Sequence, residues 1–182
     1  MGFRITTSEN LKFDVMKTIN LFLIIFFLIN DVVFSQTDKK DVKAKKQLEM
    51  AQLIEKGHFR FVAQSAQSNL GIFNNLSANY DMVFDSLHIK AYLPYYGRAY
   101  QAKYGNTEGG VKFDLEASKI EKKYNDRKKM FTISMELKDT DEKYSINLTA
   151  GLNGFADLKI NFLNRQWISY YGTIEKIETQ KK

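Results

Sequence analysis

His58 and His88 are the only histidines in the chain, and thirty residues separate them. No HxxH or HExxH spacing exists, so a shared metal would require the fold to join two distant strands. His88 stands in LHIKAYL, where Leu87, Ile89, Ala91 and Leu93 alternate with His88, Lys90 and Tyr92. That places it on the polar face of a strand, where a histidine is solvated. Asp114 and Glu116 share one face of VKFDLEA, and paired carboxylates can act as acid and base. Lys112 shares that face, which reads as the solvent side of an amphipathic strand. The acidic run DTDEK at 139–143 lacks the glycine and the distal glutamate of an EF-hand and reads as a solvated turn. Gly109-Gly110 lacks the following helix that a phosphate loop needs, and no GxSxG occurs. There is no cysteine, which removes thiolate metal sites, disulfides and a lipidated N-terminal cysteine. No catalytic residue, metal ligand or cofactor is assigned. A hydrolase using His88, Asp114 or Glu116 stands behind the binding readings given below.

The concentrated chemistry is aromatic. LPYYGRAY, residues 93–100, holds the single proline and three of ten tyrosines, with Tyr92 and Tyr104 close by. Tyr92, Tyr96, Tyr100 and Tyr104 recur every four residues, a helical spacing. Pro94 and Gly97 break that helix. A corner between two strands remains, with Arg98, Tyr100, Ala102 and Tyr104 on one face of the second strand. Arginine beside tyrosine permits cation–π stacking or bidentate contact with a carboxylate or sugar hydroxyls. The candidate ligand-binding set is Tyr95, Tyr96, Arg98, Tyr100 and Tyr104. The competing reading is that these rings fill one end of a β-fold.

The elements that position this set begin after a targeting segment. LFLIIFFLI at 21–29 follows Met16-Lys17 and precedes NDVVFSQT, which describes a signal peptide over residues 1–35. Val33 and Ser35 suit the positions before the cut, placing it between Ser35 and Gln36. Translation starting at Met16 would give a more compact peptide. The apolar run is shorter than the about 20 residues of a spanning helix, so the protein after cleavage is not expected to be integral to a membrane.

Residues 36–57 carry the periodicity of a helix, with Val42, Leu48, Ala51 and Ile54 near one stripe and Gly57 at its end. From residue 58 the period becomes two. Phe59 and Phe61, then Tyr80, Met82 and Phe84, then Val111, Phe113, Leu115 and Ala117, then Phe131, Ile133, Met135 and Leu137 each define an apolar face. Eight or nine such strands with polar turns predict an all-β antiparallel domain over 58–182 with one N-terminal helix. The sheet closes as a barrel or stacks as a sandwich; periodicity does not choose.

The chain has 27 basic and 21 acidic residues, a balance of +6. KIEKKYNDRKK at 119–129 concentrates six of the basic residues around Tyr124. In an exported protein this reads as a hairpin whose lysines guard an open edge, not as a nucleic-acid grip.

The blocks LPYYGRAY, YGNTEGGVKFD and GFADLKINFLNRQWISYYGTI resemble the domain of unknown function 4251 family, exported proteins of Bacteroidetes. The likeness spans about Phe59 to Ile174 and implies a Gram-negative envelope. It brings no activity, cofactor or catalytic residue. The sequence therefore predicts a periplasmic or secreted, non-catalytic domain that binds a small ligand, a glycan or an envelope protein. An envelope structural or assembly role without a ligand is the alternative.

Overall fold

Period-two alternation fixes which side of each strand is apolar, and the only way to bury every such side at once is to turn them toward a common interior. The computed structural model describes residues 39–98, 110–140 and 142–177. The chain divides into two units, residues 1–45 and 46–182. In the first, the described residues 39–45 are helical and exposed. In the second, the described residues form eight successive strands: β1 His58–Ser68, β2 Phe73–Asp85, β3 His88–Pro94, β4 Gly110–Asn125, β5 Met130–Lys138, β6 Lys143–Gly151, β7 Phe155–Phe162 and β8 Ile168–Glu175. Each pairs antiparallel with its neighbour in sequence, and β8 pairs with β1. The sheet is thus a closed barrel, which decides between the two predicted architectures.

The predicted apolar faces point inward. Phe59, Phe61, Met82, Ile146 and Leu148 retain no accessible surface, and they belong to one continuous core cluster. A side chain lining a water-sized void would keep accessible surface. Around these residues the barrel is therefore packed with side chains, as its strand number permits. Small residues make room for the rings. Ala150, Ala156, Gly172 and Ala63 are successive register partners across β6, β7, β8 and β1. On β1 the register shifts between Ala63 and Ser65, and the bulge keeps both Ser65 and Ala66 buried.

β4 changes partners part-way along. Gly110 to Glu116 pair with β3, whereas Ala117 to Asn125 pair with β5. The second half runs past the β2–β3 turn, and an exposed lysine there reaches back to the end of the N-terminal helix. Lys122 lies opposite the buried Ile133, and its ammonium donates to the carbonyls of Ile54 (3.4 Å) and Glu55 (3.0 Å). Those carbonyls end helix α1, residues 39–56. The helix terminus leaves acceptors without intrahelical donors and carries partial negative charge, so a cation satisfies both. Burial lowers the Lys122 pKa, opposed by the charge of Glu55. Gly57 completes the cap at φ 67°, donating to Ile54 O at 3.1 Å, a left-handed residue of the kind that stops helices.

From Lys46 onward the helix packs through Met50, Ala51, Leu53 and Ile54, the last fully buried. Leu48, expected on the packed stripe, is exposed, as is Val42 in the first unit. The contact stripe keeps the expected Ala51 and Ile54 and widens to Met50 and Leu53. Among the described residues no helix is long and apolar enough to cross a membrane.

Candidate functional site at one barrel end

The turns β5–β6 and β7–β8, the exit of β3 and the start of β4 meet at one end of the barrel. Tyr170 on β8 faces inward and is 1% exposed. Its hydroxyl donates to Pro94 O at 2.6 Å, the last residue of β3. The next residue is held from the other side. The Tyr95 hydroxyl lies 2.8 Å from Gln166 O and 3.1 Å from Arg98 O, sharing its proton between them. Gln166 N donates to Arg98 O (3.1 Å), and Arg98 N donates to Gln166 Oε1 (3.4 Å). The corner is thereby a bonded loop, with Pro94 fixing one dihedral.

Beneath it sits a charge pair that the sequence did not reveal. Glu142 was expected in a solvated turn, yet it is 7% exposed. Its Oε1 accepts from Leu163 N (3.1 Å) and Asn164 N (3.2 Å), and its Oε2 accepts from Arg165 Nε (3.2 Å). Three donors compensate the lost hydration, which is why the carboxylate turns inward. Arg165 also donates to Gly110 O at 3.4 Å. Its guanidinium carbon lies 4.5 Å from the Phe162 ring centre and 5.1 Å from that of Tyr95. Tyr95 and Tyr144 both meet Phe162 edge-on, and Tyr144 packs on Phe113. One signal could have found Glu142. Counting back two residues from Tyr144 along the alternating β6 run keeps it on the inward face.

Burial pushes the phenol pKa of Tyr170 well above its ordinary value, against the opposing charge of Arg165. Burial likewise raises Tyr144, again opposed by Arg165. Above pH 10 the unfolded chain ionises these groups while the folded chain holds their protons. Stability is therefore complete below pH 10 and falls as pH rises toward the folded values, by up to about 1.4 kcal/mol per pH unit for each such tyrosine. Tyr170→Phe should be about 1–3 kcal/mol less stable at pH 8, because Pro94 O loses its donor. It should also show a shallower alkaline decline. Urea unfolding between pH 8 and 11.5 checks both.

The candidate residues separate by environment. Tyr95 is partly buried and uses its hydroxyl on backbone carbonyls. Tyr96 is 38% exposed, and Arg98 is exposed. The predicted strand from Arg98 does not include Arg98 itself, and Tyr100 and Tyr104 lie outside the described residues.

The barrel also assembles the residues weighed for hydrolysis. His88 pairs in register with Glu116, and its Nε2 lies 2.5 Å from Asp114 Oδ1, with Lys90 3.7 Å from the same carboxylate. They stand on the outward face of β3 and β4, and the His88 and Asp114 side chains are 51% and 52% exposed. His58 contacts Asp85 at 3.0 Å, and Asp85 is also the register partner of His88. Among the described residues no group of three or more such side chains has a metal-holding arrangement.

Residues 41–174 match the family model described as a domain of unknown function, DUF4251. The chain belongs to this family. A crystal structure of a DUF4251 family protein from Bacteroides eggerthii DSM 20697 is similar, with a TM-score of 0.56 and 16% identity, over 73% of this chain and 89% of that one. At that identity the likeness concerns the fold, and the family supplies no activity. No curated protein matches.

Proposed function

We propose that this DUF4251 protein is an exported, non-catalytic binding domain whose contact surface is the rim built on Tyr95, Tyr96 and Arg98, with Tyr100 and Tyr104 as further contacts. The observation behind this reading is the bonded corner. Tyr170 and Tyr95 hold the backbone from Pro94 to Arg98, while Tyr96 and Arg98 stay exposed. A rim fixed before binding loses little freedom on association, and tyrosine and arginine are the side chains that dominate contact energies. The inward side chains of the barrel pack on one another, which favours the rim over the interior as the place of contact. The ligand class is a small molecule, a glycan or an envelope protein. Export rests on the apolar run at 21–29 and the small residues before Gln36, and it places the protein in the periplasm or outside the cell.

The double variant Tyr96→Ala/Arg98→Ala should melt within about 2 °C of the wild type, since surface substitutions cost little. It should lose the thermal shift that library glycans or cell-wall fragments give the wild type. A variant that keeps every hit sinks the assignment. Crosslinking from position 96 to an envelope protein, with no small-molecule hit, supports an assembly role instead. Mass analysis of the recovered protein should show Gln36 as its first residue; an intact N-terminus removes the export reading.

A further inference from the structure

The second half of β4 and the start of β5 form a hairpin whose tip, Asp126 to Lys129, begins ten residues beyond Glu116, the partner of His88 at the start of β3. Between 119 and 129 six basic residues accompany two acids. Three of the six are committed within the protein. Lys122 caps the helix, Lys119 pairs with Glu121 at 2.7 Å, and Lys129 pairs with Asp126 at 2.6 Å. Lys123 is 79% exposed and reaches Glu121 only at 3.9 Å. Arg127 and Lys128 are exposed at the tip itself. Tyr124, next to Lys123 in the chain but on the alternate strand face, is 44% exposed with its ring 4.6 Å from that of its partner Phe131.

We propose that this tip is an electrostatic docking surface for an anionic lipid bilayer, with Lys123, Arg127 and Lys128 meeting headgroup phosphates and Tyr124 at the interface. The charge complementarity is direct, because basic side chains near an anionic leaflet each add attraction within a Debye length. Tyrosine, with an apolar ring and a wet hydroxyl, is enriched at such interfaces. A bilayer is preferred to nucleic acid on the export reading above, and the surface is separate from the rim. Loss of one leaves the other testable.

The chain from Gln36 to Lys182, which contains every described residue, is sedimented with phosphatidylcholine vesicles with and without about a third phosphatidylglycerol. The wild type should partition onto the anionic vesicles and be released as salt rises. Lys123→Glu/Arg127→Glu/Lys128→Glu should weaken partitioning roughly 100-fold, from about fivefold per basic side chain, without changing the melting temperature. If that variant melts early, Lys123→Gln/Arg127→Gln/Lys128→Gln replaces it and should weaken binding in the same direction. Equal partitioning onto neutral vesicles, or unchanged binding by a folded variant, overturns the proposal. So does displacement from the vesicles by stoichiometric single-stranded oligonucleotide, which would assign the tip to nucleic acid.

Discussion

Gly172→Ala is expected to destabilise the barrel by at least about 3 kcal/mol, and to leave little folded protein at 37 °C if the wild type has ordinary stability. A Cβ at this position would stand 2.0 Å from Val62 O, 2.9 Å from Val62 C and 3.0 Å from Phe61 Cζ. The first two are backbone atoms of a strand pinned on both sides. Val62 is the register partner of Thr173 on β8 and of Asp81 on β2. Neither neighbour can retreat without breaking a ladder, so the cost falls on closure itself. A flexible side chain in the way would have moved aside, and the expected cost would be small. Urea unfolding measured alongside near-ultraviolet circular dichroism checks the outcome. A folded Gly172→Ala protein within 1 kcal/mol of the wild type would mean that the β1–β8 seam is looser than its register implies.

Arg165→Met should cost about 3–5 kcal/mol, because it strands a buried carboxylate. Glu142 keeps its two backbone donors in that variant but loses the guanidinium it touches. Glu142→Gln should cost less, since an amide oxygen can still accept from Leu163 N and Asn164 N. The double variant should be more stable than the sum of the two losses, with a coupling of about 1–3 kcal/mol in the cycle. Denaturant midpoints for the four proteins measure it. Strict additivity would show that the charge pair is not what holds the β7–β8 loop to the β5–β6 turn.

The inward faces were legible because each strand reports its own alternation. Val111, Phe113 and Ala117, or Phe131 to Leu137, needed no knowledge of their partners. Closure was not legible, since it depends on β1 meeting β8, and no local pattern records that register. The bulge after Ala63 also erases the phase of β1. The Glu142–Arg165 pair was hidden for a different reason. Three acids within DTDEK look like a solvated turn, and the donors that draw Glu142 inward arrive from 21 to 23 residues later. Lys122 carried a visible hint, as it alternates with Ile120 and Tyr124, but the helix carbonyls it serves are 67 and 68 residues away. At the corner, the break at Pro94 and Gly97 was readable, whereas the carbonyl partners of Tyr95 and Tyr170 were not.

Seven of the eight ladders join strands adjacent in the chain. The eighth brings Glu175 to Arg60, whose side chains meet at 2.8 Å across a separation of 115 residues. Loop-closure entropy for such a span is roughly 4 kcal/mol beyond its constant part, so the meander can zip strand by strand before that last ladder repays the cost. Until it forms, β1 and β8 are two bare edges able to recruit other chains. The speed with which the final strand finds the first would then set how long each new molecule is at risk of aggregating, and the seam that ends the risk closes only because Gly172 has no Cβ to meet Val62.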